Sequence, residues 1–256
     1  MHVFTYYDAS VGHPGQSELI ELWKKSWENK GFTPVVLTKS HAEDHSYFKE
    51  YTEQIDEIHK KIMYGIPVRS YGLSCYHRWL AYATHGSKHY CSLTCDYDVI
   101  NLSLDVNEAR KYLEKYGTKI VFHHGTTPCL VSGQRDLFEF LCKEIVRISN
   151  KNVHLLKNTI HPHYNDQEFV QFNRSDLFLG PNRNKFEINN SLAHERIIGD
   201  YEHSIHDLSK KLIHFSHYFC DLARIKLKKP GMPIDDVRIK IVSKMLDFDK
   251  TFFDCL

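Results

Sequence analysis

Two aspartates separated only by Tyr97, Asp96 and Asp98, have the residue type and spacing that most directly suggest chemistry. They follow an apolar segment, residues 90–95, that predicts a buried strand, and ligands of open α/β sheets bind beyond the carboxyl ends of strands. Side chains at i and i+2 of an extended segment point the same way, about 6.6 Å apart. Both carboxylates can therefore reach one hard divalent cation, Mg²⁺ or Mn²⁺. The alternative is a solvated turn, where aspartate is common.

An arginine upstream of the aspartates is a candidate ligand for phosphate groups. Arg78 lies 18 residues before Asp96, far enough for a helix, a turn and a strand to return its guanidinium to the same sheet edge. Helical spacing over residues 73–83 places Trp79 in the core and leaves Arg78 to face a ligand. A guanidinium can bind a diphosphate through two parallel hydrogen bonds. A surface arginine beside a core tryptophan is the alternative.

The elements that must position these residues alternate between strand and helix patterns. Apolar and β-branched runs predict strands at residues 3–7, 34–38, 90–95, 119–122, 128–131 and 212–215. Helical periodicity predicts helices at residues 17–30, 42–63, 73–83, 106–116, 136–148 and 234–246. Residues 150–208 are rich in Asn and His and predict loops and short elements. This alternation favours one α/β domain over residues 1–256, with a mainly parallel central sheet and an irregular C-terminal third.

Composition narrows the class of protein. The 256 residues are 42% hydrophobic and 25% charged, with a formal charge of +1. These values exclude collagen-like and disordered chains, and they provide no overall field to recruit nucleic acid. We expect no membrane span, because no apolar run approaches about 20 residues. The seven cysteines contain no C-x-x-C pair, and Met1 to Asp8 reads as a strand rather than a signal peptide, so we expect reduced thiols in the cytoplasm.

Three landmarks together resemble the GT-A glycosyltransferases. They are the opening strand Val3-Phe4-Thr5-Tyr6-Tyr7, the pair Arg78-Trp79, and the segment Asp96-Tyr97-Asp98-Val99. The sequence is most similar to the small glycosyltransferases of large DNA viruses and of bacterial polysaccharide clusters. The likeness covers residues 1–135 and a patch near residue 214. It implies a GT-A-like (Rossmann-like) α/β/α sandwich, with a nucleotide-sugar-binding half at residues 1–101 and an acceptor half with a C-terminal helix at residues 102–256.

The resemblance also implies an activity and a metal. Such enzymes, here a hexosyl- or pentosyltransferase, move a sugar from a nucleotide diphosphate sugar, with UDP or GDP as the nucleotide, to a glycan or glycoprotein acceptor. A Mn²⁺ or Mg²⁺ ion on the D-x-D motif bridges the two phosphates. A late histidine completes the metal site in many relatives, which makes His214 the expected third ligand and His217 its reserve.

The remaining expected site residues follow from the same resemblance. The end of the first strand is expected to hold the nucleoside, through Thr5, Tyr6, Tyr7 and Asp8. The expected donor site is completed by Arg78, Asp96, Tyr97 and Asp98. An inverting enzyme also needs a general base, for which the candidates are Asp136 and Asp176. Asp136 opens a predicted helix, where a carboxylate is favoured by the helix dipole in any case. His123 and His124 are expected on the acceptor side, with a simple polar loop as the alternative.

Two other functions fit parts of the pattern. A haloacid-dehalogenase-type phosphatase also places D-x-D at a strand end, but it requires Thr or Val where this chain has Ile100. A non-catalytic sugar- or metal-binding module would use the 18 histidines. A basic run at residues 224–229 could receive phosphate groups, an anionic glycan or a membrane surface, so peripheral membrane contact is a further expectation.

Overall fold

The structure is a computed structural model of the 256-residue chain. It describes residues 1–12, 15–157, 164–188, 198–200, 211–216, 220 and 231–246. Among these residues, no helix has the length and apolar character needed to cross a bilayer.

A six-stranded sheet forms the centre of the molecule. Its strands stand in the order β2-β1-β3-β6-β5-β7. They are β1 His2–Tyr6, β2 Thr33–Leu37, β3 Ser92–Cys95, β5 Ile120–His124, β6 Thr127–Gly133 and β7 Phe186–Ile188. Strand β1 pairs in parallel with β2 and β3, and β5 pairs in parallel with β7, whereas β6 is antiparallel to both of its neighbours. The described sheet is therefore mixed but mainly parallel.

A second, three-stranded sheet contains His214 at the end of its central strand. Its order is β4-β9-β8, with β4 at Val99–Asn101, β8 at Ile198–Asp200 and β9 at Leu212–His214. Strand β9 is antiparallel to β4 and parallel to β8. Because β4 begins directly after Asp98, the segment Asp96–Asp98 connects the two sheets.

Helices cover both faces of the large sheet. They are α1 Gln16–Glu28, α2 Lys39–Glu43, α3 Phe48–Ile62, α4 Ser70–His85, α5 Val106–Leu113, α6 Arg135–Leu156, α7 Asp166–Phe172, α8 Arg174–Phe178 and α9 Ile234–Leu246. Alternate residues of a strand point to opposite faces, so neighbouring residues enter different cores. Val131 packs with Trp79 and Phe138 against α3, α4 and α6, whereas Leu130 packs with Trp23 on the side of α1, α5 and α9.

Most predicted elements are present, with two informative differences. Residues 42–63 were expected to form one helix, but α2 and α3 are separate helices. The helix expected at residues 136–148 continues to Leu156 in α6. The described parts of residues 150–208 hold short helices and strands between loops, as expected. The terminal helix at residues 234–246 is confirmed by α9.

The direction of β6 is the difference that matters for the site. Gly133 pairs with Ser92 at the start of β3, whereas Leu130 pairs with Cys95 at its end. The carboxyl end of β6 therefore lies at the edge of the sheet opposite to Asp96. A short turn at Gly125, with φ of 61°, makes β5 and β6 a hairpin, whereas a parallel pair requires a crossover of a dozen or more residues.

Candidate metal centre and its pocket

Three side chains predicted from sequence converge at the junction of the two sheets. Asp96, Asp98 and His214 each offer one ligand atom, and these atoms lie within 4.8 Å of one another. The backbone fixes each residue: the Asp96 N–H donates to the Cys129 carbonyl at 2.9 Å, and the Phe215 N–H donates to the Asp98 carbonyl at 2.9 Å. The structure therefore brings the expected ligands together.

Arg78 is engaged with carboxylates rather than turned freely toward a ligand. Its Nη1 donates to Asp96 Oδ1 at 2.6 Å, its Nε donates to Asp166 Oδ2 at 2.7 Å, and its Nη2 lies 2.5 Å from the same oxygen. Trp79 Nε1 donates to Asp166 Oδ2 at 2.9 Å. Burial raises the pKa of Asp166 to about 6, against the opposing effect of Arg78. We call Arg78, Trp79, Asp96 and Asp166 the α4 side of the site.

A second buried arginine reaches the site from the C-terminal helix. Arg238 Nη2 donates to Asp98 Oδ2 at 2.7 Å and Nη1 donates to Asp235 Oδ1 at 3.0 Å. Its Nε donates to the Phe215 carbonyl, next to His214, at 3.0 Å. Asp235 lies in the first turn of α9, where the helix dipole favours a negative charge. We call Arg238, Asp98, Asp235 and Phe215 the α9 side.

The donor set fits a hard divalent cation. The two sides together contain four carboxylates, those of Asp96, Asp98, Asp166 and Asp235, but only two guanidiniums. One oxygen, Asp98 Oδ1, is buried with no hydrogen-bond partner among the described residues. A buried carboxylate oxygen without a partner is costly. Two excess negative charges and an unsatisfied oxygen facing His214 Nε2 at 3.7 Å match the charge and ligand preference of Mg²⁺ or Mn²⁺.

Asp96, Asp98 and Asp166 stand in the wall of a cavity of about 500 Å³. Tyr6, Tyr7 and Asp8, at and after the end of β1, line the same cavity. Thr5 does not line it, because its side chain is fully buried within β1. The Tyr7 N–H already donates to the Leu37 carbonyl at 2.8 Å, so this group is not available to a base. Asp8 Oδ1 accepts from the Ser10 N–H at 3.0 Å and thereby begins a short 3₁₀ helix.

The aromatic residue between the two aspartates is also fixed. The Tyr97 hydroxyl accepts from Gln16 Nε2 at 2.7 Å, and its ring meets Tyr7 edge to face at 6.3 Å. Both tyrosines line the cavity. Tyr97 therefore links α1 and the end of β1 to the D-x-D segment.

The structure does not bring either candidate base to this cavity. Asp136 is exposed in the first turn of α6, at the opposite sheet edge, because β6 runs antiparallel to β3. Asp176 is bound to α6, with Oδ1 2.5 Å from Lys151 Nζ and Oδ2 accepting from Asn152 Nδ2 at 2.7 Å. Asp176 holds α8 against α6, and neither aspartate lines the cavity. The structure therefore brings neither aspartate to the cavity, and the assignment of a general base stays a prediction.

Two groups of site residues were missed. Asn165, Asp166 and Gln167 line the cavity at the start of α7, in a stretch whose pattern was unassigned. The Asn165 side chain accepts from the Glu168 N–H, and the Glu168 side chain accepts from the Asn165 N–H. This N-x-x-E capping box was a readable helix-start signal. Arg238 gave no local signal. His217 and the basic run at residues 224–229 lie outside the described residues.

Comparisons with known proteins identify solved structures with a similar fold. No protein-family model and no curated protein matches the chain. Mouse xyloside xylosyltransferase 1 in its apo form matches at 8% identity over 85% of this chain and 98% of that one, with a TM-score of 0.50. Apo GlyE of Streptococcus pneumoniae TIGR4 matches at 13% over 95% and 63%, with a TM-score of 0.44. The galactosyltransferase LgtC, with donor and acceptor sugar analogues, matches at 11% over 92% and 85%, with a TM-score of 0.46.

These structural neighbours are glycosyltransferases of the GT-A type. The likeness to the xylosyltransferase concerns the fold, and it confirms the predicted GT-A-like α/β architecture with a mainly parallel central sheet.

Proposed function

We propose that the protein is a metal-dependent glycosyltransferase that moves a sugar from a UDP- or GDP-sugar to a glycan or glycoprotein acceptor. The observation that carries the proposal is the group formed by Asp96, Asp98 and His214 in the wall of a 500 Å³ cavity. Asp98 Oδ1, which has no hydrogen-bond partner among the described residues, is the ligand atom in this group that is open to a cation. The GT-A-type fold supports the same reading.

In this proposal, Asp96, Asp98 and His214 hold Mn²⁺ or Mg²⁺. When bound, such a cation neutralises the charge of a diphosphate leaving group. Arg78 and Arg238 fix one aspartate each, so that the carboxylates are oriented before the cation arrives. This costs no reorganisation when the donor binds. Arg78 thus acts by positioning Asp96, in place of the direct diphosphate contact expected from sequence.

The donor and acceptor would occupy different walls of the cavity. Tyr6, Tyr7 and Asp8 offer aromatic faces and a carboxylate for the nucleoside, as expected for a nucleotide-sugar-binding half at residues 1–101. The start of α7, with Asn165 and Gln167, lines the cavity and would belong to the proposed acceptor half at residues 102–256. The six described cysteines are free thiols, which supports the proposed reducing, cytoplasmic setting.

Calorimetric titration of UDP and GDP, with and without Mn²⁺, tests the proposal on the full chain. We expect one nucleotide to bind measurably only with Mn²⁺. Asp98→Asn should weaken that binding at least about 10-fold, because a charged ligand of the cation is lost. Asp44→Asn is the matched control: Asp44 is an exposed carboxylate at the end of α2, and its loss should leave nucleotide binding unchanged.

Turnover separates the enzyme from a binding module. A panel of UDP- and GDP-sugars is incubated with Mn²⁺, and release of the nucleoside diphosphate is measured. Release that depends on both Mn²⁺ and Asp98 supports the transferase. Metal-dependent nucleotide binding without release from any sugar donor would support a sugar- or nucleotide-binding module. If neither UDP nor GDP binds in a metal-dependent way, the proposal is rejected.

A further inference from the structure

A second set of metal-ligating side chains lies against the first and shares His214 with it. His124, Cys129 and His214 each offer one ligand atom, and these three atoms lie within 4.8 Å of one another. His124 ends β5, Cys129 lies in β6 across the hairpin, and His214 ends β9. Cys129 is a fully buried free thiol, whereas His124 and His214 line the cavity. Cys129 and His214 are therefore buried, and His214 and the half-buried His124 stand in the cavity wall.

The chemistry of this set differs from that of the aspartate pair. Thiolate and imidazole are the donors that select Zn²⁺ and other borderline or soft cations, whereas carboxylates suit Mg²⁺ and Mn²⁺. Three protein ligands with a fourth position open to a cavity form the usual arrangement of an accessible zinc site. The imidazole of His214 belongs to both sets. A neutral imidazole has a lone pair on one nitrogen only, because the other nitrogen carries the proton, so His214 binds one metal ion at a time.

The two sets are also joined through the backbone. The Cys129 carbonyl accepts from the Asp96 N–H at 2.9 Å, so the cysteine of one set and the first aspartate of the other are fixed relative to each other. The rings of His124 and His214 meet edge to face at 5.7 Å.

We propose that His124, Cys129 and His214 bind Zn²⁺, and that Zn²⁺ there excludes the hard cation from Asp96 and Asp98 because both need His214. Formation of the zinc–sulfur bond releases the thiol proton of Cys129 to solvent. The proposal that Zn²⁺ excludes the hard cation rests on the proposed function, because that function supplies the cation at Asp96 and Asp98. The zinc site itself does not depend on the proposed function. Zn²⁺ would then act as an inhibitor that competes with Mn²⁺.

Cobalt absorption tests the site directly, since Co²⁺ replaces Zn²⁺ and gives a thiolate-to-metal charge-transfer band. We expect this band in the wild-type protein, its loss in Cys129→Ser, and its retention in Cys142→Ser. Cys142 is an equally buried thiol in the other hydrophobic cluster, which makes it the matched control. Absence of the band in the wild type at saturating Co²⁺ would overturn the proposal, as would its persistence in Cys129→Ser.

Two further variants keep the test decisive if Cys129→Ser does not fold. His124→Gln changes a half-buried position and leaves the Cys129 thiol in place. It should weaken Zn²⁺ binding at least about 10-fold. Asp98→Asn removes a ligand of the hard cation only, so its cobalt–thiolate band should remain. Unchanged Zn²⁺ affinity in His124→Gln, measured by competition with a chromophoric chelator, would contradict the assignment.

Displacement of Mn²⁺, followed by the electron paramagnetic resonance signal of the free ion, tests the exclusion. Zn²⁺ should release bound Mn²⁺ from the wild type at a concentration at least about 10-fold lower than from Cys129→Ser. Equal concentrations would remove the shared-ligand part of the proposal. A protein that shows the cobalt–thiolate band but no sugar transfer would retain the zinc site and lose the proposed function, and the reverse result would do the opposite.

Discussion

Two buried arginines, Arg78 and Arg238, hold the two aspartates of the candidate metal centre in different ways. On the α4 side, Arg78 bridges Asp96 and Asp166, and the Asp96 side chain remains 37% exposed. On the α9 side, Arg238 bridges Asp98 and Asp235, whose side chains are 11% and 7% exposed. On the α4 side, water can take the place of the arginine at the exposed carboxylate of Asp96. On the α9 side, both carboxylates are too buried for water to do so.

Because of this difference, we expect the two arginines to contribute unequally to the free energy of unfolding. Removing one partner of a buried ion pair is costly because the other charge stays buried without compensation. Water can solvate Asp96 when its arginine is lost, but it reaches Asp98 and Asp235 far less. The α9 side should therefore depend more strongly on its arginine than the α4 side does.

The largest expected effect is that of Arg238→Leu. The substitution leaves Asp98 and Asp235 buried without a cation and removes the donor to the Phe215 carbonyl, so we expect a loss of about 3–5 kcal/mol in the free energy of unfolding. Urea denaturation of the full chain in a metal-free buffer measures this loss. Added Mn²⁺ should recover part of it. A loss below that of Arg78→Leu would reverse the comparison.

Arg78→Leu should cost less, about 2–3 kcal/mol, because only Asp166 is left as a buried charge while Trp79 Nε1 still donates to it. Adding Asp166→Asn to Arg78→Leu removes that charge and should restore more than half of the loss. Adding Asp235→Asn to Arg238→Leu should restore less, since Asp98 stays unpaired. Urea denaturation measures the free energy of unfolding that each double variant recovers. Equal recovery in the two would show that the exposure of Asp96 does not reduce the cost of losing Arg78.

Acid should destabilise the fold through His77 of α4, whose Nε2 lies 2.9 Å from Thr52 Oγ1 of α3. Burial lowers the pKa of His77 from 6.5 to about 4, so the folded state favours the neutral ring. Its contribution is fully present above pH 6.5 and is lost as the pH falls toward 4, with about 2 kcal/mol lost at pH 5. His77→Gln should flatten the decline in the free energy of unfolding between these pH values. If the free energy of unfolding of His77→Gln fell with pH as steeply as that of the wild type, groups other than His77 would be responsible for the acid sensitivity.

The smallest effect is expected at the opposite edge of the sheet. Asp136→Asn should leave Mn²⁺ binding unchanged and lower the free energy of unfolding by about 0.5 kcal/mol, through a weaker interaction with the dipole of α6. Calorimetric Mn²⁺ titration and thermal unfolding measure both quantities. A loss of Mn²⁺ affinity in this variant would contradict the strand direction of β6.

Sequence reasoning found the residues that converge at the candidate metal centre but not the arginines that contact them. Asp96 and Asp98 were visible because an apolar strand and a two-residue spacing are local patterns. Arg238 reaches Asp98 across 140 residues, and no local periodicity indicates such a contact.

Asp136 was misplaced for a different reason, since strand direction depends on the connection and not on the strand. The five residues between the predicted strands at 119–122 and 128–131 are too few for a parallel crossover, which favours the hairpin that the structure shows. For Asp176, the unassigned pattern of residues 150–208 hid the contacts with Lys151 and Asn152.

The junction of the two sheets has a consequence for the mechanics of the molecule. Asp96 is tied to the large sheet through the Cys129 carbonyl, whereas Asp98 and His214 belong to the small sheet through Phe215 and Val99. A cation held by all three would join two segments that are otherwise connected by a short turn, much as a disulfide joins distant parts of a chain. Amide protons on both sheets, and not only those beside the ligands, would then exchange with solvent more slowly once the cation is bound.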